Sequence, residues 1–213
     1  MFEQFYDTLE SLGIVPVVVL EKVEDAAPLA HALMAAGMKS AEVTFRTDCA
    51  AECIEAMAAA EPEMCVGAGT VLNVEQVKRA VAAGSKFIVS PGYNEDVVKY
   101  CIAENIPVLP GTVTPSEVTA AVNLGLKVTK FFPAAQYGGL NTINALAAPF
   151  VGHRFMPTGG VNTGNVEEYL SSKNIIACGG TWMVKPALFA DGDFSQVEQI
   201  AREAMAKVAE IRG

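Results

Sequence analysis

Histidine and cysteine are too few and too scattered here to build a metal site. The chain has two histidines, His31 and His153, and five cysteines, none of them in a Cys-x-x-Cys pair. Cys49 and Cys53 stand four apart on an expected helix, while Cys65, Cys101 and Cys178 lie alone. An odd count without pairing spacing reads as reduced thiols on core or helix faces, which points to the cytoplasm. Basic charge is short as well. Lys and Arg number 15 against 24 Asp and Glu, a net charge of -9 with a pI of about 4.7. That balance excludes the basic footprint of a nucleic-acid binder. No apolar run approaches the ~20 residues that cross a bilayer, so no membrane partner is expected. The stretch Met1-Phe2-Glu3-Gln4-Phe5-Tyr6-Asp7 carries acids where a secretory signal needs bases. No linker, low-complexity tract or composition shift divides the chain.

What is present is apolar and evenly punctuated. Hydrophobic residues make up 51% and charged residues 18% of 213, which suits a globular chain of one domain, residues 1–213, with a large core. Residues 1–12 read as a short amphipathic helix. Ile14–Leu20 is a continuous apolar run, as a strand buried on both faces should be. Asp25 is placed to cap a helix that runs to about Ala36 and ends at Gly37. Further strands follow at Ala41–Phe45, Cys65–Ala68, Lys86–Ser90, Ile106–Leu109, Lys127–Phe132, Arg154–Pro157 and Ile175–Cys178. Helices are expected near 50–60, 74–83, 95–104, from Pro115, near 140–147, 165–171 and 194–211. Strand then helix, about eight times over, predicts a closed (β/α)8 barrel of the TIM type with a short N-terminal helix. A doubly wound open sheet is the alternative, and the evenness of the units favours closure.

One strand, Lys127-Val128-Thr129-Lys130-Phe131-Phe132-Pro133, carries a lysine where a strand rarely wants one. Alternation puts Val128, Lys130 and Phe132 on one face and Thr129 and Phe131 on the other. Lys130 sits between aromatics near the C-terminal end. It either snorkels to solvent or pairs with a carboxylate, or it is a desolvated amine able to act as a nucleophile.

In a barrel the chemistry gathers at the C-terminal strand ends. Those ends are Glu42, Thr44 and Arg46; Gly67-Ala68-Gly69-Thr70; Ser90-Pro91-Gly92; Pro110-Gly111-Thr112; Lys130; Pro157-Thr158-Gly159-Gly160; and Gly179-Gly180-Thr181. In Glu42-Val43-Thr44-Phe45, Val43 and Phe45 belong against the helices, so Glu42 and Thr44 point inward. An acid buried there needs a partner, and Lys130 is the candidate. The pair is either a structural ion pair or a general acid/base beside a nucleophilic amine. Two glycine turns in adjacent units, each with a threonine, suit a phosphate seat built from backbone N–H groups. Gly67-Ala68-Gly69-Thr70 by itself reads as a tight turn.

Glu42-Val43-Thr44-Phe45-Arg46-Thr47, Val66-Gly67-Ala68-Gly69-Thr70-Val71-Leu72, Lys130-Phe131-Phe132-Pro133-Ala134, Pro157-Thr158-Gly159-Gly160 and Gly179-Gly180-Thr181-Trp182 resemble the 2-keto-3-deoxy-6-phosphogluconate (KDPG) aldolases. These class I aldolases also act on 4-hydroxy-2-oxoglutarate. The resemblance runs over nearly the whole chain in the same order. It implies a homotrimeric (β/α)8 barrel with no metal and no organic cofactor, acting on a small keto-acid sugar phosphate. By the motif match Lys130 is the Schiff-base lysine and Glu42 the general acid/base. Arg46 and Thr70 hold the substrate carboxylate, Pro91 joins the substrate-binding residues, and Thr158 and Phe132 orient the reacting carbons. Gly159, Gly160, Gly180 and Thr181 receive the phosphate. Thr181 stands where the resemblance leads one to expect serine, and Ala135-Gln136-Tyr137 also departs from the familiar pattern. The alternatives are an aldolase for the galactonate epimer, a phosphosugar isomerase or epimerase using Lys130 as a charge, and a non-catalytic anion-binding barrel.

Overall fold

The computed structural model covers Met1–Gly213. Its elements, in chain order, are α1 (Glu3–Leu12), β1 (Ile14–Val18), α2 (Ala26–Ala35), β2 (Ser40–Thr44), α3 (Ala50–Ala60), β3 (Cys65–Gly69), α4 (Val74–Ala82), β4 (Ile88–Val89), α5 (Glu95–Ala103), β5 (Val108–Leu109), α6 (Pro115–Asn123), β6 (Val128–Phe131), α7 (Gly139–Ala147), β7 (Arg154–Pro157), α8 (Val166–Leu170), β8 (Cys178–Gly180) and α9 (Ser195–Arg212). All strand pairings are parallel. One sheet runs β5-β4-β3-β2-β1-β8, and β6 pairs with β7 in a second. The strands curl into a partial barrel with helices outside. The order is sequential, without the reversal that a doubly wound sheet requires. Isolated parallel bridges at Gly111–Lys130 and Thr158–Gly179 join the β6–β7 pair to the two ends of the larger sheet.

Side-chain alternation sorts the core into two layers. Val15, Phe87, Val89, Leu109, Val128, Met156 and Ile176 form an inner cluster with Phe5, Tyr6 and Leu9 of α1. The N-terminal helix therefore closes the barrel interior, with the Phe5 and Phe87 rings 5.1 Å apart. Val43, Phe131 and Phe155 belong to the outer layer beneath the helices. Local signals account for the helix starts. Asn73 and Asn94 cap α4 and α5 with their side chains. α6 opens with Pro115 and a reciprocal capping box between Thr114 and Glu117.

Three local expectations change. Asp25 caps nothing with its side chain; it ends a 3-10 turn, Val23–Asp25, that leads into α2. The last strand lies later than Ile175–Cys178, because Gly179 and Gly180 keep pairing with Val15 and Pro16 of β1. β3 runs one residue past the expected Cys65–Ala68 to Gly69, so of Gly67-Ala68-Gly69-Thr70 only Thr70 lies outside the strand. A Cβ on Gly67 would lie 2.3 Å from the Phe87 ring, so that glycine makes room for the inner core.

The join at Gly111–Lys130 has a side-chain clasp behind it. Thr129 Oγ1 lies 2.8 Å from Thr112 Oγ1 and 2.9 Å from His153 Nε2, all three residues buried. Burial pushes the His153 imidazole down to about 4 from the ordinary 6.5. The folded state thus resists a proton that the unfolded chain accepts. This contribution is full above pH of about 6.5 and is lost as pH falls towards about 4, on the order of 3 kcal/mol. Urea unfolding at pH 7.5 and 4.5 should show wild type losing about 1–3 kcal/mol more than His153→Gln over that interval. Equal losses would mean that His153 is protonated as readily in the folded protein as in the unfolded one.

Candidate active site

β2 and β6 each turn one charged side chain into the interior. Lys130 Nζ donates to Glu42 Oε1 at 3.1 Å, with side-chain exposures of 6% and 0%. The ring centre of Phe132 lies 5.3 Å from the same nitrogen. The second oxygen, Glu42 Oε2, is buried and has no partner in the protein. Removing one member of such a buried pair typically costs about 3–5 kcal/mol, whereas an apolar pair in its place is often as stable. Stability alone therefore gives little reason for charges at this spot. Gly69 makes the space: a Cβ there would lie 2.2 Å from Glu42 Oε1 and 2.6 Å from its Cγ. Thr44, two residues on along β2, bonds the Val18 carbonyl at 2.9 Å and so ties β2 to β1.

Arg46, exposed just beyond β2, donates from Nε to Thr70 Oγ1 at 3.3 Å. Thr70 holds φ at 56°, a left-handed conformation that a β-branched side chain rarely adopts. The Pro91 carbonyl lies 2.2 Å from where a Cβ on Gly111 would stand, and Gly111 bridges to Lys130. Pro91 and Lys130 are thus neighbours through Gly111. Thr158 bridges to Gly179 and its hydroxyl, buried and unpartnered, fills the space a Gly179 Cβ would take.

The two glycine turns differ. Gly159 and Gly160 both adopt left-handed φ, 94° and 81°, beside Pro133 and Ala135 of the segment after Lys130. Their N–H groups and that of Thr181 donate to no protein acceptor. Gly180 has another reason to be glycine. The Trp182 ring lies 2.0 Å from its would-be Cβ, so the residue clears space for packing. The sequence-based reading missed Trp182 in this role, as well as Asn162 and Asn165, which bond the Gly160 carbonyl. The Asn-x-x-Asn spacing directly after Gly-Gly was the available signal. No cluster of three or more His, Cys, Asp or Glu side chains is arranged to hold a metal ion. A surface cavity of about 840 Å³ is lined by Glu10, Lys173 and Arg212 and none of the residues above.

Residues 6–200 match the aldolase family described as KDPG and KHG aldolase. Over 200 residues the chain is 46% identical to the 2-dehydro-3-deoxy-phosphogluconate aldolase of Treponema pallidum (strain Nichols), covering 94% of this chain and 95% of that one. The chain belongs to the KDPG and KHG aldolase family. It is also 43% identical to the KHG/KDPG aldolase of Escherichia coli (strain K12), over 90% of both chains. Among solved structures, the KDPG aldolase of Legionella pneumophila, with pyruvate captured at low pH as a covalent carbinolamine, superposes with a TM-score of 0.90. The two chains are 35% identical, over 93% of this one and 96% of that one.

The crowding at Gly69 yields a direct check on the buried pair. Gly69→Ala should push the Glu42 carboxylate off Lys130 and lower aldolase turnover by about 10²-fold, the low end for a misplaced proton-transfer group. Overpacking of this kind should lower stability by only about 1–3 kcal/mol. Kinetics together with thermal unfolding measure both. Undiminished turnover in a folded variant would show that the carboxylate's position is irrelevant.

Proposed function

We propose that this protein is a class I aldolase that cleaves 2-keto-3-deoxy-6-phosphogluconate to pyruvate and glyceraldehyde 3-phosphate through a Schiff base on Lys130. The observation that carries this reading is the buried amine of Lys130 held 3.1 Å from the buried Glu42 carboxylate. The covalent pyruvate carbinolamine of the Legionella enzyme supports it by likeness. The E. coli relative's name supports 4-hydroxy-2-oxoglutarate as a second substrate. The family relationship favours an aldolase over the phosphosugar isomerase.

Neutral Lys130 adds to the C2 ketone, and loss of water leaves an iminium. That cation draws in the electrons of the C3–C4 bond as Glu42 takes the C4 hydroxyl proton, directly or through a water. Glyceraldehyde 3-phosphate leaves, and an enamine of pyruvate stays on the lysine. Glu42 returns the proton to C3, and water hydrolyses the iminium to release pyruvate. The unpartnered Oε2 supports this role, because one oxygen can pair with Lys130 while the other meets substrate. Arg46 and Thr70 bind the substrate carboxylate, Phe132 and Thr158 orient the reacting carbons, Pro91 is a further substrate-binding residue, and Gly159, Gly160, Gly180 and Thr181 receive the phosphate.

The same reading takes residues 1–213 as one (β/α)8 barrel domain, supported by the bridges that join β6–β7 to both ends of the larger sheet. It takes the protein as a cytoplasmic homotrimer; the five free thiols support the compartment and the family resemblance the assembly. No helix is long and apolar enough to cross a membrane.

The test is turnover of both keto acids by wild type and two variants. Wild type should release pyruvate from KDPG, and both Lys130→Ala and Lys130→Arg should abolish it while circular dichroism shows a folded protein. The arginine variant keeps the charge but cannot form the iminium. Activity within about tenfold of wild type in Lys130→Arg would reduce the lysine to a charge and overturn the Schiff base.

A further inference from the structure

In the turn Thr158-Gly159-Gly160-Val161 the first three carbonyls are each held by a hydrogen bond. Thr158 O accepts from Ala134 N at 2.8 Å and Gly159 O from Ala135 N at 3.0 Å. Gly160 O accepts from two side-chain amides, Asn162 Nδ2 and Asn165 Nδ2, each at 3.0 Å. Both lone pairs of that carbonyl are thereby occupied. The asparagines are themselves locked. Asn165 Oδ1 accepts from Asn162 N at 2.8 Å, and Asn162 Oδ1 accepts from Gly164 N at 2.8 Å.

A trans peptide points its C=O and the following N–H in opposite directions. Fixing the carbonyls of Thr158, Gly159 and Gly160 therefore aims the N–H groups of Gly159, Gly160 and Val161 away from their holders. None of those three N–H groups donates to a protein acceptor. The first two carbonyls are held by the backbone after β6, which any sequence could supply. Only the third depends on side chains. Both glycines have left-handed φ, and beyond the buried Val161 side chain the two amides are the contacts that orient the Gly160–Val161 peptide.

We propose that Asn162 and Asn165 are positioning residues that clamp the Gly160 carbonyl and so present the Val161 N–H as a third backbone donor to the substrate phosphate. The inference rests on the proposed seating of the phosphate at Gly159, Gly160 and Thr181. Neither asparagine touches the reacting carbons; they act through the peptide between Gly160 and Val161, as preorganised donors do. Because two amides share one carbonyl, either alone should hold it partly.

Steady-state kinetics on KDPG and on unphosphorylated 4-hydroxy-2-oxoglutarate separate this from a general structural role. Asn162→Ala/Asn165→Ala should raise KM for KDPG by about tenfold or more with kcat little changed, the pattern of lost uniform binding. Each single variant should raise it by no more than about threefold, since one amide remains. On 4-hydroxy-2-oxoglutarate all three should stay within about twofold of wild type. If the double variant fails to fold, Asn165→Ala alone must still show its smaller loss on the phosphorylated substrate only.

Thr181→Val serves as the control for the seat itself. A selective KDPG loss in Thr181→Val with none in the asparagine variants would overturn the clamp and leave the seat standing. Equal losses on both substrates in the asparagine variants would overturn it too, making them supports of the barrel at large. No selective loss in any of these variants would remove the seat, and the clamp with it.

Discussion

A lysine and a glutamate withdrawn from water inside the curled parallel strands set the terms for the rest of this structure. Each charge taken from solvent costs several kcal/mol unless the partner is close and well oriented. The surroundings meet that condition locally. β2 and β6 approach the pair from the two different sheets, bringing Nζ and Oε1 to 3.1 Å. Gly69 leaves the carboxylate its volume, and α1 closes the interior beneath. The join beside Lys130 rests on one bridge, reinforced by the Thr112–Thr129–His153 clasp. That a charged pair is kept here, where an apolar pair would often be as stable, is the strongest sign that the position serves chemistry.

The proposed function divides the site in two. In it, bond making and breaking belong to the buried Lys130 and Glu42. Capture belongs in it to the rim, where Arg46, the glycine turn and Thr181 offer donors to anionic groups. A net charge of -9 works against long-range attraction of an anionic substrate, so binding has to rest on these short-range, oriented donors. Oriented backbone N–H groups suit this better than more lysines would, since they add no mobile charge beside a nucleophilic amine.

Much of this was legible in the sequence because strands carry their geometry in a period of two. Val43 and Phe131 face the helices, so Glu42 and Lys130 could be placed on the inner face before any contact was known. Continuous apolar runs and regular spacing likewise gave eight strand–helix units. Glycine was where the reading slipped. Gly180 lies in β8 with the ring of Trp182, two residues on, over it, and Gly69 and Gly179 also lie in strands, their missing side chains filled by Glu42 and Thr158 from elsewhere in the chain. Such vacancies depend on tertiary neighbours and leave no local pattern. Asp25 failed as a cap for a related reason: a 3-10 turn ahead of α2 gives it αR backbone angles where a side-chain cap needs an extended residue. The Asn-x-x-Asn spacing behind Gly160 was visible in the sequence, but the carbonyl that the two side chains share was not.

The central claim is that Lys130 forms a covalent iminium with pyruvate. The most direct measurement is borohydride reduction of the intact protein in the presence of pyruvate, followed by mass spectrometry of its peptides. The account predicts one reduced pyruvate adduct, on Lys130, that requires both reagents. No adduct, or one on another lysine such as the exposed Lys127, would contradict it.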